Sequence, residues 1–173
     1  MVNGKISRRP LSAETSTLHR GLRYGPLLIW MTFISFASTT EFSSLNTSQF
    51  IRPLILWLLP NLTEVQLANL HFGIRKLGHF AEFGLLAYLA SRAFVTSSFA
   101  FIRRRWFLLV ALLVVIYSLL DELHQSFVPS RSGSIYDSII DMIGGFTVLL
   151  IFASWDRRAA ELAAAEKINL RDL

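Results

Sequence analysis

Lys76, His79 and Glu82 follow one another at steps of three residues, while Asp121 and Gln125, and again Asp137 and Asp141, stand four apart. On helices, steps of three or four put side chains on one face. Glu122 and His124 sit inside the second of these groups, and Arg131 lies between the second and the third. Paired carboxylates in a poorly hydrated site have protonation equilibria pushed apart, which general acid and base work requires. Glu82, Asp121 and Glu122 are therefore the candidate acid and base, with His79 as a proton shuttle. Arg131 suits a phosphate or carboxylate, because a planar guanidinium makes bidentate contacts. Gln125, Lys76, Asp137 and Asp141 complete the candidate binding set. No nucleophile motif accompanies them. The acids and His79 are donor types that a divalent cation accepts, but no metal-ligand spacing is distinctive. No metal or other cofactor is assigned.

The elements that must position these groups are unusually apolar. The chain has 173 residues, of which 53% are hydrophobic and only 17% charged. Soluble domains carry about 25% charged residues. A helix needs roughly 20 mostly apolar residues to cross a bilayer. Four stretches qualify: 22–40, 75–95, 106–125 and 135–155. The first could be mistaken for a signal peptide, with small residues at Ala37 and Ser38. Its long leader and the spans that follow favour an uncleaved anchor. The run from Phe50 to Leu62 is too short to span and is bounded by Pro53 and Pro60, so it reads as interfacial or re-entrant. Thr63 with Gln66 resembles a capping box, so a short helix is expected to lead into the second span. After Trp155 a polar or weakly amphipathic helix is expected on the membrane surface.

The net charge of +5 is spent on loops rather than on a nucleic-acid face, and no nucleic-acid partner is expected. The chain has no cysteine, which excludes disulfides and thiolate metal sites. Basic residues cluster before the first span, at Arg103 to Arg105, and after the fourth span. The positive-inside rule then puts both termini and the 103–105 loop in the cytoplasm. The expected layout is an N-terminal basic tail (1–21), a four-helix transmembrane domain (22–155) and a cytoplasmic C-terminal tail (156–173).

That layout puts the ionisable groups at one depth. Glu82 lies about two turns below the outer surface on an inward helix, Asp121 about one turn below it on an outward helix, and Asp141 about two turns below it on an inward helix, at ~1.5 Å rise per residue. Ionisable groups in lipid cost roughly 2.5 to 3.5 kcal/mol each on insertion scales. Three polar stripes meeting inside the bundle would answer that cost. Gly144 and Gly145 would let a neighbouring helix come close. In a purely structural reading the cluster neutralises itself and locks the helices. A functional reading is favoured, because buried charge is an inefficient way to gain stability. His124 and Lys76 also have plain readings, the first facing headgroups and the second snorkelling outward.

The segment from Asp121 to Gly145, DELHQSFVPSRSGSIYDSIIDMIGG, resembles the signature of the VanZ-like membrane proteins. Its pattern is D-E-x-H-Q-x-F-x-P-x-R, five residues, then D-x-x-x-D-x-x-G. The upstream block RKLGHFAEFGLLAY, Arg75 to Tyr88, is similar to the family's other block. Ser130 departs from the pattern, where the family often has Gly. The resemblance implies a small bacterial inner-membrane protein of the cell envelope. Its named member is associated with resistance to teicoplanin-type glycopeptide antibiotics.

The expected fold is thus an all-α integral membrane protein, a four transmembrane helix bundle with a short interfacial or re-entrant segment between the first two spans. Its partners are the lipid bilayer and a lipid headgroup or cell-wall precursor. Three functions stay open: an enzyme acting on such a lipid-linked substrate, a non-catalytic binding or structural envelope protein, and a proton or ion pathway. The last is weakened by the scarcity of polar residues in the cytoplasmic halves of the spans.

Overall fold

A computed structural model describes residues 11–39, 44–128 and 133–169. Every described element is a helix: α1 (Leu11–Ala37), α2 (Ser44–Leu58), α3 (Glu64–Val95), α4 (Ala100–Arg104), α5 (Trp106–Ser126) and α6 (Ile135–Asn169). Arg131, the candidate phosphate or carboxylate binder, lies outside the described residues.

The capping box at the start of α3 is present, with Thr63 and Gln66 each bonding the other's backbone. The helix it starts is not a separate lead-in. It runs unbroken for 32 residues into the second apolar stretch. Pro53 does not bound a short segment either, because α2 continues through it. Pro53 is the tenth of the fifteen residues of α2, so it removes one interior backbone hydrogen bond, and the helix continues past it. The region after Trp155 is likewise no independent surface helix. Ala, Glu and Lys propagate α6 directly to Asn169.

Two helices, α5 and α6, are long and apolar enough to cross a membrane. In α3 the polar groups of interest, Lys76, His79 and Glu82, dilute the apolar run together with Arg92. Burial strengthens the membrane signal. On α5, Leu112, Ile116, Leu119, Leu120 and Leu123 are exposed, while Ser118, Asp121, Glu122 and Gln125 are buried. Water-soluble proteins tend to bury the first kind of residue and to leave most of the second exposed. The inversion suits a helix whose outer face meets lipid and whose inner face meets protein.

α3 is the central element, packed most heavily on α6 and also on α5, α1 and α2. It runs parallel to α6, and the contacts climb both helices together. Lys76 meets Asp137, His79 meets Asp141, Phe80 meets Gly144, Gly84 meets Val148, and Tyr88 meets Phe152. A Cβ on Gly144 would run into the Phe80 backbone, and one on Gly145 would run into Val114. Both glycines therefore permit the close helix approach expected of them. Farther along, Phe83, Leu86, Val110, Val114 and Leu149 form a fully buried apolar core.

Candidate functional site

The ladder between α3 and α6 begins in charge. Lys76 Nζ pairs with Asp137, and the same ammonium lies 4.9 Å from the Phe72 ring centroid. Lys76 thus turns inward to a carboxylate rather than snorkelling outward. One turn on, His79 Nδ1 is 3.2 Å from Asp141 Oδ1. That is ion-pair distance, but neither atom makes a hydrogen bond with the other. Asp141 is fully buried, and neither of its carboxylate oxygens has a hydrogen-bond partner among the described residues.

α5 supplies the next acid. Asp121 accepts from Gln125 Nε2 at 2.7 Å through one oxygen, and from the Ser38 hydroxyl through the other. The step of four along α5 makes the first contact possible. Gln125 is 1% exposed, so it positions Asp121 and cannot reach a ligand outside. Glu122 is also buried. Its Oε2 accepts from the Ser134 backbone N–H at 2.5 Å, which ties the end of α5 to the approach of α6. Ligand atoms of His79, Asp121 and Asp141 lie within 4.8 Å of one another. Three helices expected to deliver ionisable groups to one layer do so, and α1 joins them through Ser38.

Glu82 stands apart from this knot. It faces a groove of about 450 Å³ between α1, α2 and α3, whose walls include Trp30, Phe33, Ile51 and Leu85. Trp30 donates its indole N–H to the Glu82 carbonyl at 3.0 Å, which fixes one wall against the other. Arg75, His79 and Ser38 line the same groove. His79 therefore belongs both to the buried knot and to the groove. His124, by contrast, is exposed and contributes to neither.

The profile of the VanZ/LLP1 family matches residues 23–156. The chain belongs to the VanZ/LLP1 family. No curated protein and no solved structure matches it significantly. The family match takes in every site residue named above, and it reaches upstream to α1, where the motifs alone gave no anchor.

Two participants in this VanZ/LLP1 site were not legible as such. Ser38 read only as a small residue near the end of a span, and Arg75 only as the edge of one. A serine four residues after Ile34 bonds back to that carbonyl, as Ser38 does at 3.0 Å, so its type alone carries no signal of a second, long-range acceptor. Arg75 carried a weak signal. It is a cation one residue before Lys76, at the entrance to the polar stripe.

Proposed function

We propose that this VanZ/LLP1 protein is a multi-pass membrane protein that binds a lipid or lipid-linked envelope component in the α1–α2–α3 groove. In this reading α1, α3, α5 and α6 all span the bacterial inner membrane. Both termini are cytoplasmic and the acid layer is near the extracytoplasmic face. The observation that carries the reading is the make-up of the groove, with aromatic and aliphatic walls and Arg75, His79 and Glu82 along one helix. Such sites take an apolar body and fix it with few polar contacts. An acyl or prenyl chain would lie along Trp30, Phe33 and Leu85. A phosphate would meet Arg75, whose fork suits it.

Glu82 and His79 are the groups placed to exchange a proton with a bound head group. Asp121, Glu122 and Gln125 stand behind them and hold the arrangement. A binding or catalytic role is favoured over conduction by what lies beyond Asp141. The interior there closes on Phe83, Leu86, Val114 and Leu149, which offer no proton relay. A resistance phenotype would follow if the bound envelope component were an antibiotic target.

The test is native mass spectrometry of the detergent-solubilised protein with an added polyprenyl phosphate. The wild type should hold one lipid. Arg75→Gln should weaken that binding at least about tenfold, in line with loss of a charged hydrogen bond. Equal retention by Arg75→Gln would sink the groove as the phosphate site.

A further inference from the structure

We infer that His79, Asp121 and Asp141 form a binding site for one divalent transition cation of the manganese or zinc class, with an open coordination position facing the groove. The inference does not depend on what lipid the groove takes.

The donor set comes first. One imidazole and two carboxylates, from three different helices, bring ligand atoms within 4.8 Å of one another, all on buried residues. Mixed nitrogen and oxygen donors suit zinc, manganese or iron rather than soft-metal chemistry. With bonds of about 2.1 Å, neighbouring ligand atoms around such an ion sit roughly 3.0 to 3.4 Å apart. His79 Nδ1 and Asp141 Oδ1 are already 3.2 Å apart, without the alignment of a hydrogen bond. The remaining ligand atoms lie within 4.8 Å of one another and would draw in to that spacing around an ion.

A second, independent observation points to a ligand. Asp141 is 0% exposed, yet its Oδ1 has only the poorly aligned His79 Nδ1 at 3.2 Å and its Oδ2 has no hydrogen-bond donor among the described residues. A buried carboxylate without donors is costly unless something positive meets it. Lys76 is committed to Asp137, and Asp121 has only the neutral donors Ser38 and Gln125. Two buried aspartates then face a single imidazole. A divalent ion would balance them.

Ser38 and Gln125 play the part that outer residues play at metal centres. Each bonds an oxygen of Asp121 and leaves it a further lone pair, so together they fix the carboxylate's orientation. The groove supplies an entry path, since His79 and Ser38 line it. A phosphate oxygen or a water arriving by that path would fill the open position.

The experiment is titration of metal-stripped, detergent-purified full-length protein with MnCl2, followed by the loss of the free-ion electron paramagnetic resonance signal. One saturable site per chain is expected, with nitrogen coupling from an imidazole in pulsed spectra and displacement by ZnCl2. Asp141→Asn should weaken binding at least about tenfold, and His79→Gln should do so and also abolish the nitrogen coupling. Gln125→Leu should weaken binding by about 10- to 100-fold, as loss of an outer partner does. It removes no charge and serves if either of the others fails to fold. Absence of saturable binding by the wild type, or of nitrogen coupling in its spectrum, would overturn the site. Undiminished binding in the variants that fold would overturn it equally.

Discussion

At one end of the bundle Arg23 bonds the Ser98 hydroxyl at 2.9 Å and Arg103 bonds the Ser97 carbonyl at 2.7 Å. At the other end Lys76 bonds Asp137, and His79, Asp121 and Asp141 crowd together. The first end is wet. Arg103, Arg104 and Arg105 are exposed, and the oxygens that Arg23 and Arg103 bond are neutral. The second end is largely buried, with Lys76 facing Asp137 and His79 facing Asp141. Both ends gather ionisable residues, so charge content does not distinguish them. Access of water does. A hydrated guanidinium keeps its solvation whether or not a neighbour is present. A buried carboxylate depends on each partner it has. The basic end can therefore serve topology with interchangeable parts, whereas the acidic end is a fixed assembly.

The harshest way to break that assembly is to part α3 from α6. Gly144→Val places a side chain against the backbone of Phe80, directly below the two pairs Lys76–Asp137 and His79–Asp141. Backbone cannot rotate aside as a side chain can. Overpacking of this kind costs about 1–3 kcal/mol or more, and both polar contacts would loosen with it. We expect loss of monodisperse protein, or a large fall in melting temperature in detergent. Gly73→Ala is the matched control, because nothing lies within 4 Å of the added carbon. It should be neutral or slightly stabilising, since glycine within a helix is worse than alanine by roughly 0.5–1 kcal/mol. Similar melting behaviour of the two variants would mean that close approach at Gly144 is not what holds the acid layer together.

A smaller break removes one charge and leaves the helices seated. Lys76→Met strands Asp137, which is 4% exposed. Stranding a buried partner costs about 3–5 kcal/mol in favourable cases, and partial access of water to Lys76 puts this pair at the lower end. Adding Asp137→Leu should restore much of the loss, because an apolar pair replaces an ionic one of similar size. Chemical denaturation of the single and double variants measures both. A double variant no better than the single would show that Asp137 is not held by Lys76 alone.

The pairing of Lys76 with Asp137 also marks how far the sequence could be read. Steps of three on α3 and of four on α6 were visible, and so was the shared depth of the two stripes. Which rung meets which was not, because periodicity fixes a face and leaves the neighbour open. The parallel run of α3 and α6 supplies that register through Gly144, a residue with no chemistry of its own. Glu82 and His79 shared a stripe in the sequence but divide in space, one toward the groove and the other joining the groove to the knot. The slow drift of three-residue steps around a helix accounts for the divergence. Pro53 misled in the opposite direction. It falls in the interior of α2, where a proline ordinarily ends or kinks a helix, and the helix continues through it nonetheless.

The mildest intervention belongs to the wet end. Arg103→Gln deletes one guanidinium that reaches a single backbone carbonyl from an exposed position. Ser97 is 1% exposed, so its carbonyl regains a partner through water entering the space that the exposed guanidinium vacates. Arg104 and Arg105 remain on the same turn and keep most of the local positive charge. Exposed substitutions of this sort stay within about 0.5 kcal/mol. The melting temperature in detergent should hold, and a reporter fused after Leu173 should still read cytoplasmic, because orientation follows the sum of basic residues and not one of them. A loss of stability matching that of Lys76→Met would mean that Arg103 is as tightly committed as the buried lysine. The distinction between a wet end of interchangeable charges and a largely buried end of fixed ones would then fail at its simplest point.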